Sequence, residues 1–269
     1  MTERMTRPEQ PTPAYVPGHD LLADKVVVVT AAAGAGIGAA VARRALEEGA
    51  RHVVVSDTHG RRLAEAQEEL AGEFGADRVT TQACDVTDGT AVTELLGAAA
   101  EVGGVDVMVN NAGLGGTASI TDMSDEEWSR VIDITLTGTM RCVRAAGRSM
   151  IANRKRGVIV NNASVIGWRA QEGQAHYAAA KAGVMALTRC AALDLAPHGI
   201  RVNAVSPSLA MHPFLAKVTS DELLAELKQR EAFGRAAEPW EVANVMVFLA
   251  SDYASYLTGE VVSVSSQHA

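Results

Sequence analysis

Short runs of β-branched residues recur along the chain, and longer segments of helical periodicity separate them. Most of the runs are apolar at consecutive positions, which is typical of strands that helices cover on both faces. The predicted strands are Lys25–Thr30, His52–Asp57, a segment ending at Cys84, Val105–Asn110, Gly157–Asn161, Ile200–Val205 and about 260–264. The predicted helices run from a glycine-containing loop to about Gly49, over about 60–73, from about Asp125, over about 175–192, over about 220–231, and from Pro239.

This alternation of strands and helices predicts an α/β fold. We expect a single-domain, Rossmann-type, doubly wound parallel sheet with helices on both faces. Ligands of such sheets bind at the carboxyl ends of the strands, so polar residues at those ends are candidates for a functional site.

Two segments depart from the alternation. Residues 1–22 are polar and rich in proline, which predicts an extended or mobile arm outside the core. Residues 23–269 are expected to form one domain. Within it, about 208–234 is a long segment that follows the sixth predicted strand.

Composition narrows the class of protein. The 269 residues are 48% hydrophobic, enough for a large core, and the net charge of −8 argues against nucleic acid or an anionic membrane as a partner. No apolar run approaches the roughly 18 residues needed to span a bilayer, and the amino terminus has no apolar secretory core. Cys84, Cys142 and Cys190 are odd in number and lack metal-ligand spacing, so we expect reduced thiols, no metal site and a cytoplasmic protein.

The loop Ala31–Gly38 consists of small residues and opens the first helix. Glycines let the backbone approach a ligand closely, and a helix amino terminus offers free N–H groups to a pyrophosphate. Asp57 ends the next strand, about 20 residues later, where a carboxylate can bind ribose hydroxyls and repel a 2′-phosphate. NAD is therefore expected over NADP, although Asp57 could instead cap the next helix and Arg61 and Arg62 leave room for a phosphate.

Tyr177 and Lys181 lie one turn apart in an alanine-rich segment that predicts a helix. A tyrosine donates a proton best when its pKa, about 10 in isolation, lies closer to the working pH. One cation about 4 Å away at an effective dielectric of about 20 supplies roughly 4 kcal/mol, enough to lower that pKa by about three units. The pair is a candidate general acid/base, with Ser164 as a hydroxyl that steadies the reacting oxygen. A pair of this kind taken alone is more often a solvated helix face.

Several motifs in register resemble the short-chain dehydrogenase/reductase family over roughly residues 22–269. They are the loop Thr30–Gly38, Asp85, the segment Asn110–Gly113, Ser164 thirteen residues before Tyr177, Lys181, and closing segments that end at Asp252 and Gly259. The resemblance implies an enzyme that transfers a hydride between a nicotinamide ring and a carbinol or carbonyl carbon. It also implies that residues 23–269 form the dinucleotide-binding and catalytic domain, with about 208–234 as a substrate loop.

The resemblance also implies roles for individual residues. Tyr177 would give and take the proton, Lys181 would lower its pKa and bind the nicotinamide ribose, and Ser164 would hold the substrate oxygen. Asp85 would contact the adenine. Asn110 and Gly113 would contact the adenosine ribose region. The other residues implied to contact NAD are Thr30, Gly34, Gly36, Ile37, Gly38, Asp57, Val86, Asn111, Ala112 and Pro207.

Four departures from the family pattern stand out. Thr30 and Gly36 are separated by one residue more than usual, so the phosphate turn is expected to follow an altered path. Thr135 replaces a catalytic asparagine that holds a water beside the lysine, and its hydroxyl could hold that water instead. The remaining two departures are Ser208 and His212 after Pro207, in place of glycine and a carboxamide-binding threonine, and Ser265-Ser-Gln267 in place of Asp-Gly-Gly.

Some of these departures resemble one actinobacterial branch of the family, reductases of sterol C/D-ring breakdown. The segments concerned are Thr30–Gly38, Asn161–Gln171, Ser206–Ser208, Glu231–Arg235 and Val264–His268. The substrate implied is a ring-hydroxyl acyl-CoA intermediate of sterol catabolism, with a 3-oxoacyl thioester or a hydroxysteroid as the alternative. A catalytically weak dinucleotide-binding sensor is the alternative of another class, given Thr135 and the altered loop.

The helix that carries Tyr177 has a face of small residues that includes Ala182, Gly183 and Ala186. The resemblance implies that this face is an interface in a homotetramer, whereas periodicity alone favours core equally. His176 would point about 100° away from Tyr177 around the helix, so we expect it at the surface or at the substrate rim rather than in the role of a base.

Overall fold

The computed structural model describes residues 9–211 and 221–266. Within them, seven strands form one parallel sheet in the order β3-β2-β1-β4-β5-β6-β7. The strands are β1 (Val26–Val29), β2 (His52–Asp57), β3 (Val79–Ala83), β4 (Val107–Asn110), β5 (Val158–Asn162), β6 (Arg201–Pro207) and β7 (Val261–Val264). The order runs outward in opposite directions from β1 and β4, which opens a crevice at their carboxyl ends.

Helices cover both faces of the sheet. They are α1 (Ile37–Glu47), α2 (Gly60–Phe74), α3 (Gly89–Glu101), α4 (Asp125–Ile132), α5 (Gly138–Ala152), α6 (Ala175–Leu195), α7 (Asp221–Arg230) and α8 (Pro239–Ala250). Val27 and Val29 of β1 belong to a core shared with α1 and α8, whereas Val26 and Val28 belong to a second core with α3, α5 and α6. Because successive strand residues face opposite sides, this division confirms the predicted doubly wound fold.

Element bounds follow the predicted ones within a few residues, and among the strands the largest extension concerns β6. Its pairing continues past the predicted end at Val205, and Pro207 aligns with Val264 of β7. The extension brings Pro207 to the carboxyl edge of the sheet, where the site was expected.

The segment that begins near Asp125 is not one uniform helix. Ser124 and Glu127 cap α4 reciprocally, and Asp133–Thr137 then forms a π-helical turn that joins α4 to α5. Such turns occur frequently at functional sites. This one carries Thr135, whose side chain is fully buried.

The described part of the amino-terminal arm, residues 9–22, lies along α1 and α8. The Tyr15 ring packs edge-on against Trp240, with centroids 5.3 Å apart, and its hydroxyl bonds Glu47. The buried Glu48 carboxylate accepts the backbone N–H groups of His19, at 2.7 Å, and Leu21, at 3.1 Å. These residues are therefore docked on the domain, whereas residues 1–8 of the predicted arm lie outside the described ranges.

Across the described ranges, no helix combines the length and apolar character that crossing a bilayer requires.

Candidate active site

Ser164, Tyr177 and Lys181 meet at the carboxyl edge of the sheet. Ser164 follows β5 and begins a short 3-10 turn, while α6 presents Tyr177 and Lys181 one turn apart. The Lys181 Nζ lies 5.5 Å from the centroid of the Tyr177 ring and donates a 2.6 Å hydrogen bond to the carbonyl oxygen of Asn162. A hydrogen bond links the Ser164 hydroxyl to the Tyr177 phenol. The structure thus brings together the three side chains that the sequence motifs single out.

Burial moves the proton affinities of both members of this pair toward their neutral forms. It raises the pKa of Tyr177 to about 12, against the opposing effect of the Ser164 hydrogen bond. It also lowers the pKa of Lys181, which is 2% exposed, to about 8. The predicted lowering of the Tyr177 pKa by Lys181 is therefore wrong for the chain by itself, because desolvation by burial has the largest effect on the phenol. At neutral pH, Tyr177 holds its proton and Lys181 is mostly charged.

The loop after β4 closes over this pair. A Cβ on Gly113 would lie 3.4 Å from the Lys181 Nζ, and one on Gly115 would lie 3.9 Å from the Tyr177 ring. Thr135 secures the loop, since its hydroxyl accepts the Leu114 N–H at 2.9 Å and donates to the Leu114 carbonyl oxygen at 3.1 Å. The proton of that hydroxyl serves the backbone rather than a water, so Thr135 holds Gly113 beside Lys181.

A cluster of polar side chains joins the loops that follow β1, β4 and β5. The buried Thr30 hydroxyl accepts the backbone N–H groups of Asn111 and Ala112, both at 3.0 Å. The Asn111 amide donates to the Ala31 carbonyl oxygen at 3.0 Å and accepts from the Asn162 amide at 2.9 Å. We call Thr30, Asn111 and Asn162 the loop-joining cluster. It fixes the predicted cofactor loops relative to the strand that delivers Ser164.

Asn110 uses its side chain inside the core. Its amide donates to Asn161 at 2.8 Å, and Asn161 donates to the Thr188 hydroxyl on α6 at 3.0 Å. Asn110 is 2% exposed. Its predicted part in cofactor binding is therefore restricted to its backbone, and its side chain ties β4 through β5 to the helix that carries Tyr177.

The glycine loop offers room for a dinucleotide at only some of its positions. A Cβ on Gly36 would meet nothing within 4 Å, and Gly34 has a φ of +125°, which a side chain would strain. A Cβ on Gly38 would instead lie 2.4 Å from the Ala31 carbonyl oxygen and 2.5 Å from the Asn111 amide. Gly34 and Gly36 thus leave the cradle open where α1 begins at Ile37, whereas Gly38 permits close packing within the chain.

Asp57 lies at the end of β2 and is almost buried. Burial raises the pKa of its carboxyl, while Arg62 and the backbone N–H groups of Ala33 and Thr58 act in the opposite direction. The Arg62 guanidinium lies 3.6 Å from an Asp57 carboxylate oxygen, and Arg61 pairs with Glu65 instead. A carboxylate and a guanidinium therefore stand together where a ribose is expected.

The other predicted cofactor residues occupy the same edge. Asp85 is exposed, and its carboxylate accepts the N–H and the hydroxyl of Thr87, at 2.9 and 2.7 Å. Val86 packs its side chain at Gly138, where an added Cβ would lie 2.6 Å away. Pro207 ends β6. His212 and Gln267 lie outside the described residues.

His176 departs from expectation. It is 2% exposed, with a Cβ on Gly116 falling 3.0 Å from its Nε2, so it lies beneath the loop after β4 and not at the surface. Gln174 donates to the Gly116 carbonyl oxygen, and the Ala118 N–H donates to Gly173. The segment before Tyr177 is thus bound to that loop.

Asn162 is the residue that sequence reasoning missed. Its carbonyl oxygen accepts from Lys181, and its amide belongs to the loop-joining cluster. The signal was the second asparagine of the pair Asn161-Asn162 at the end of a predicted strand, an end where polar residues are candidates for a site.

Comparisons with known proteins identify the family of the chain. The family model described as "Enoyl-(Acyl carrier protein) reductase" matches residues 31–266. A (5R,7aS)-5-hydroxy-7a-methyl-1-oxo-2,3,5,6,7,7a-hexahydro-1H-indene-carboxyl-CoA reductase of Mycobacterium tuberculosis is 60% identical over 95% of this chain and 97% of its own length. The 3-oxoacyl-(acyl-carrier-protein) reductase FabG of Staphylococcus epidermidis is 36% identical over 90% of this chain and 98% of its own.

A solved structure extends the likeness to the whole fold. The crystal structure of a short chain dehydrogenase from Mycobacterium smegmatis superposes with a TM-score of 0.85 at 56% identity, covering 96% of this chain and 99% of that one. Taken with the parallel sheet and the grouping of Ser164, Tyr177 and Lys181, these matches show that the chain belongs to the short-chain dehydrogenase/reductase family and is an oxidoreductase.

Proposed function

We propose that this oxidoreductase interconverts a secondary alcohol and a ketone with NAD(H), and that its substrate is a ring-hydroxyl acyl-CoA intermediate of sterol catabolism. The observation that carries the catalytic part is the contact of a buried amine, a protonated phenol and a serine hydroxyl at one strand end. The substrate part is supported by the 60% identity to the hexahydroindene-carboxyl-CoA reductase.

Each of the three side chains has a distinct task in this proposal. Ser164 donates a hydrogen bond to the substrate oxygen, and Tyr177 delivers its proton to that oxygen during reduction or removes it during oxidation. Lys181, charged below a pKa of about 8, stabilises the phenolate that is left behind. The nicotinamide ring, when bound, supplies or accepts the hydride.

The dinucleotide would be held by the cradle at Gly34 and Gly36 and by the amino terminus of α1. Asp57 favours NAD, because an almost buried carboxylate repels a 2′-phosphate more strongly than a hydrated one. Arg62 lies 3.6 Å from that carboxylate. It would favour NADP if its guanidinium turned away from Asp57 and paired with a 2′-phosphate. We place NAD first because the carboxylate is fixed by backbone N–H groups.

We further propose a cytoplasmic homotetramer that assembles through α6. An outward strip of small residues, Ala179, Ala182 and Ala186, runs along the helix toward Leu193, which is 77% exposed. Gly183 is used within the chain, because a Cβ there would lie 2.7 Å from Leu136. Sedimentation equilibrium of the wild type and of Ala182→Arg tests this proposal, since a guanidinium in the strip is expected to release monomers or dimers.

The test of the activity is an assay of NADH and NADPH oxidation across ring-ketone CoA thioesters, linear 3-oxoacyl thioesters and free ketosteroids. We expect turnover of ring-ketone CoA thioesters with NADH, at a kcat/KM about tenfold or more above that with NADPH. Equal use of both cofactors would contradict the role of Asp57. Turnover of ketosteroids without the thioester would contradict the substrate.

A 3-oxoacyl thioester reductase is the second candidate. The FabG match at 36% identity supports it, as does the description of the family model. The same assay separates the two, because a linear thioester lacks the ring system. Preference for linear 3-oxoacyl thioesters would select this candidate.

A further inference from the structure

A buried carboxylate lies at the base of the predicted substrate loop. Glu231 follows α7 directly and is 1% exposed. One of its oxygens accepts the hydroxyls of Ser208, at 3.0 Å, and Ser266, at 2.8 Å. The other accepts the backbone N–H of Leu209 at 3.4 Å. Burying a carboxylate among neutral donors is costly unless the donors are well placed, so this arrangement constrains each donor strongly.

The three donors come from two chain segments that are far apart in sequence, and the acceptor comes from a third. Ser208 and Leu209 start the loop, Glu231 stands near its end, and Ser266 follows β7. Ser208 stands where the family pattern has glycine, and Ser266 lies in the segment that replaces Asp-Gly-Gly. One buried carboxylate therefore gives these separate departures a common structural purpose.

Backbone hydrogen bonds complete the same junction. The Met211 N–H donates to the Ala237 carbonyl oxygen at 2.9 Å, and the Ala237 N–H donates to that of Leu209 at 2.8 Å. The Ala232 N–H donates to Ser266 at 2.7 Å. The start and the end of the loop are thus held to each other and to the carboxyl terminus of β7.

This junction lies next to the site. Pro207, the last residue of β6 and a predicted cofactor contact, directly precedes Ser208. A shift of Ser208 would therefore be transmitted to the edge of the sheet at which Tyr177 acts.

We propose that Glu231 is a positioning residue, which fixes both ends of the substrate loop through Ser208, Leu209 and Ser266 and thereby sets the affinity for substrate. The kinetic part of this proposal rests on the proposed function. An anchor of this kind acts on the bound state and the transition state alike, so its loss raises KM and leaves kcat nearly unchanged.

The test compares Glu231→Gln with the wild type in the full chain. Gln keeps the shape but replaces one acceptor oxygen by an N–H donor, so it cannot satisfy all three donors. Hydrogen exchange at neutral pH is expected to accelerate about tenfold in residues 208–211 and 231–237, with the central strands unchanged. In the ketone assay, substrate KM is expected to rise about tenfold while kcat stays within about threefold.

Two further variants make the result specific. Glu226→Gln removes an exposed carboxylate of α7, five residues before Glu231, that pairs with Arg230. This variant is expected to change neither exchange nor KM. Ser266→Ala is expected to raise KM in the wild type but to add less in the Glu231→Gln background, because both changes break the same contact.

Unchanged exchange at the junction, or a loss of kcat at unchanged KM, would overturn the proposal. If the wild type reduces no ketone of the panel, the proposed function fails by itself. The hydrogen-exchange rates then test the structural part of the proposal, that Glu231 fixes both ends of the loop, without the kinetic part.

Discussion

The loop-joining cluster and the proposed acid/base pair of Tyr177 and Lys181 lie at one edge of the sheet, yet they are built on opposite principles. In the cluster, short polar side chains exchange hydrogen bonds with backbone groups and with each other. In the pair, burial removes water from two ionisable groups, which raises the pKa of Tyr177 to about 12 and lowers that of Lys181 to about 8. The first arrangement stabilises the fold, whereas the second lowers its stability because burial shifts the pKa values of both groups. Substitutions in the two regions should therefore affect stability and activity differently.

The largest effect is expected for Tyr177→Phe. Removing the proton donor should lower kcat by about 10³-fold, within the range of general acid catalysis, while NADH binding and the melting temperature stay near wild type. Steady-state kinetics and fluorescence titration with NADH measure the two properties. Tyr253→Phe, at a tyrosine that is 79% exposed, is the matched control and should keep full activity. Normal turnover of Tyr177→Phe would remove this residue from the mechanism.

Lys181→Met tests how far the buried charge of Lys181 lowers the free energy of unfolding. The folded-state pKa of Lys181 is lowered from 10.5 to about 8, so below pH 8 the folded protein carries a buried charge that costs about 3 kcal/mol relative to the unfolded chain. That cost is relieved as pH rises from about 8 to 10.5, where the unfolded chain binds the extra proton. The wild type should therefore gain about 2 kcal/mol on the variant between pH 7 and pH 9.5.

Urea unfolding of both proteins at the two pH values measures this difference and cancels the titration of all other groups. A pH-independent difference would mean that Lys181 is hydrated in the folded state.

Gly38→Ala and Gly36→Ala separate packing from ligand approach within one loop. The added methyl of Gly38→Ala would overlap the Ala31 carbonyl oxygen and the Asn111 amide, which should destabilise the fold by about 2–3 kcal/mol. The methyl of Gly36→Ala meets open space and should change stability by less than about 0.5 kcal/mol, while weakening NADH binding. Thermal unfolding and NADH titration test both. A larger loss of stability in Gly36→Ala than in Gly38→Ala would contradict the assignment of packing to Gly38 and of ligand approach to Gly36.

Thr30→Val probes the loop-joining cluster with the smallest change in shape. It leaves the Asn111 and Ala112 N–H groups without their acceptor, which should cost about 1–2 kcal/mol in urea unfolding. Thr30→Ser keeps the hydroxyl and should cost less. Unchanged stability of Thr30→Val would show that these two hydrogen bonds make no net contribution to the fold.

The sequence predicts the fold well because hydrophobic periodicity and the glycine loop report local constraints. The order of strands and helices and the pairing of Tyr177 with Lys181 follow from spacing along single elements, whereas the family resemblance associated Ser164 with them. The balance between desolvation and charge attraction at Tyr177 depends on how deeply the loop after β4 covers the site. Periodicity carries no information about that depth.

Hydrogen bonds between residues that are far apart in the sequence could not be predicted from it either. Asn110 reads as a site residue at the end of a strand, but its side chain turns inward to Asn161 because a second asparagine stands at the same level of β5. Thr135 reads as a substitute for asparagine, but the π-helical turn directs its hydroxyl to the backbone of Leu114. In each case a partner from another element decides the role.

The docking of residues 9–22 bears on how this protein should be produced. A version trimmed to the apparent start of the first strand would retain Glu48, which is fully buried, but strip away the His19 and Leu21 amides that solvate it. Arg44 would also lose the Val16 and Pro17 carbonyl oxygens that it binds. Shortened versions should thus keep at least the stretch from Tyr15 onward, and affinity handles belong ahead of it.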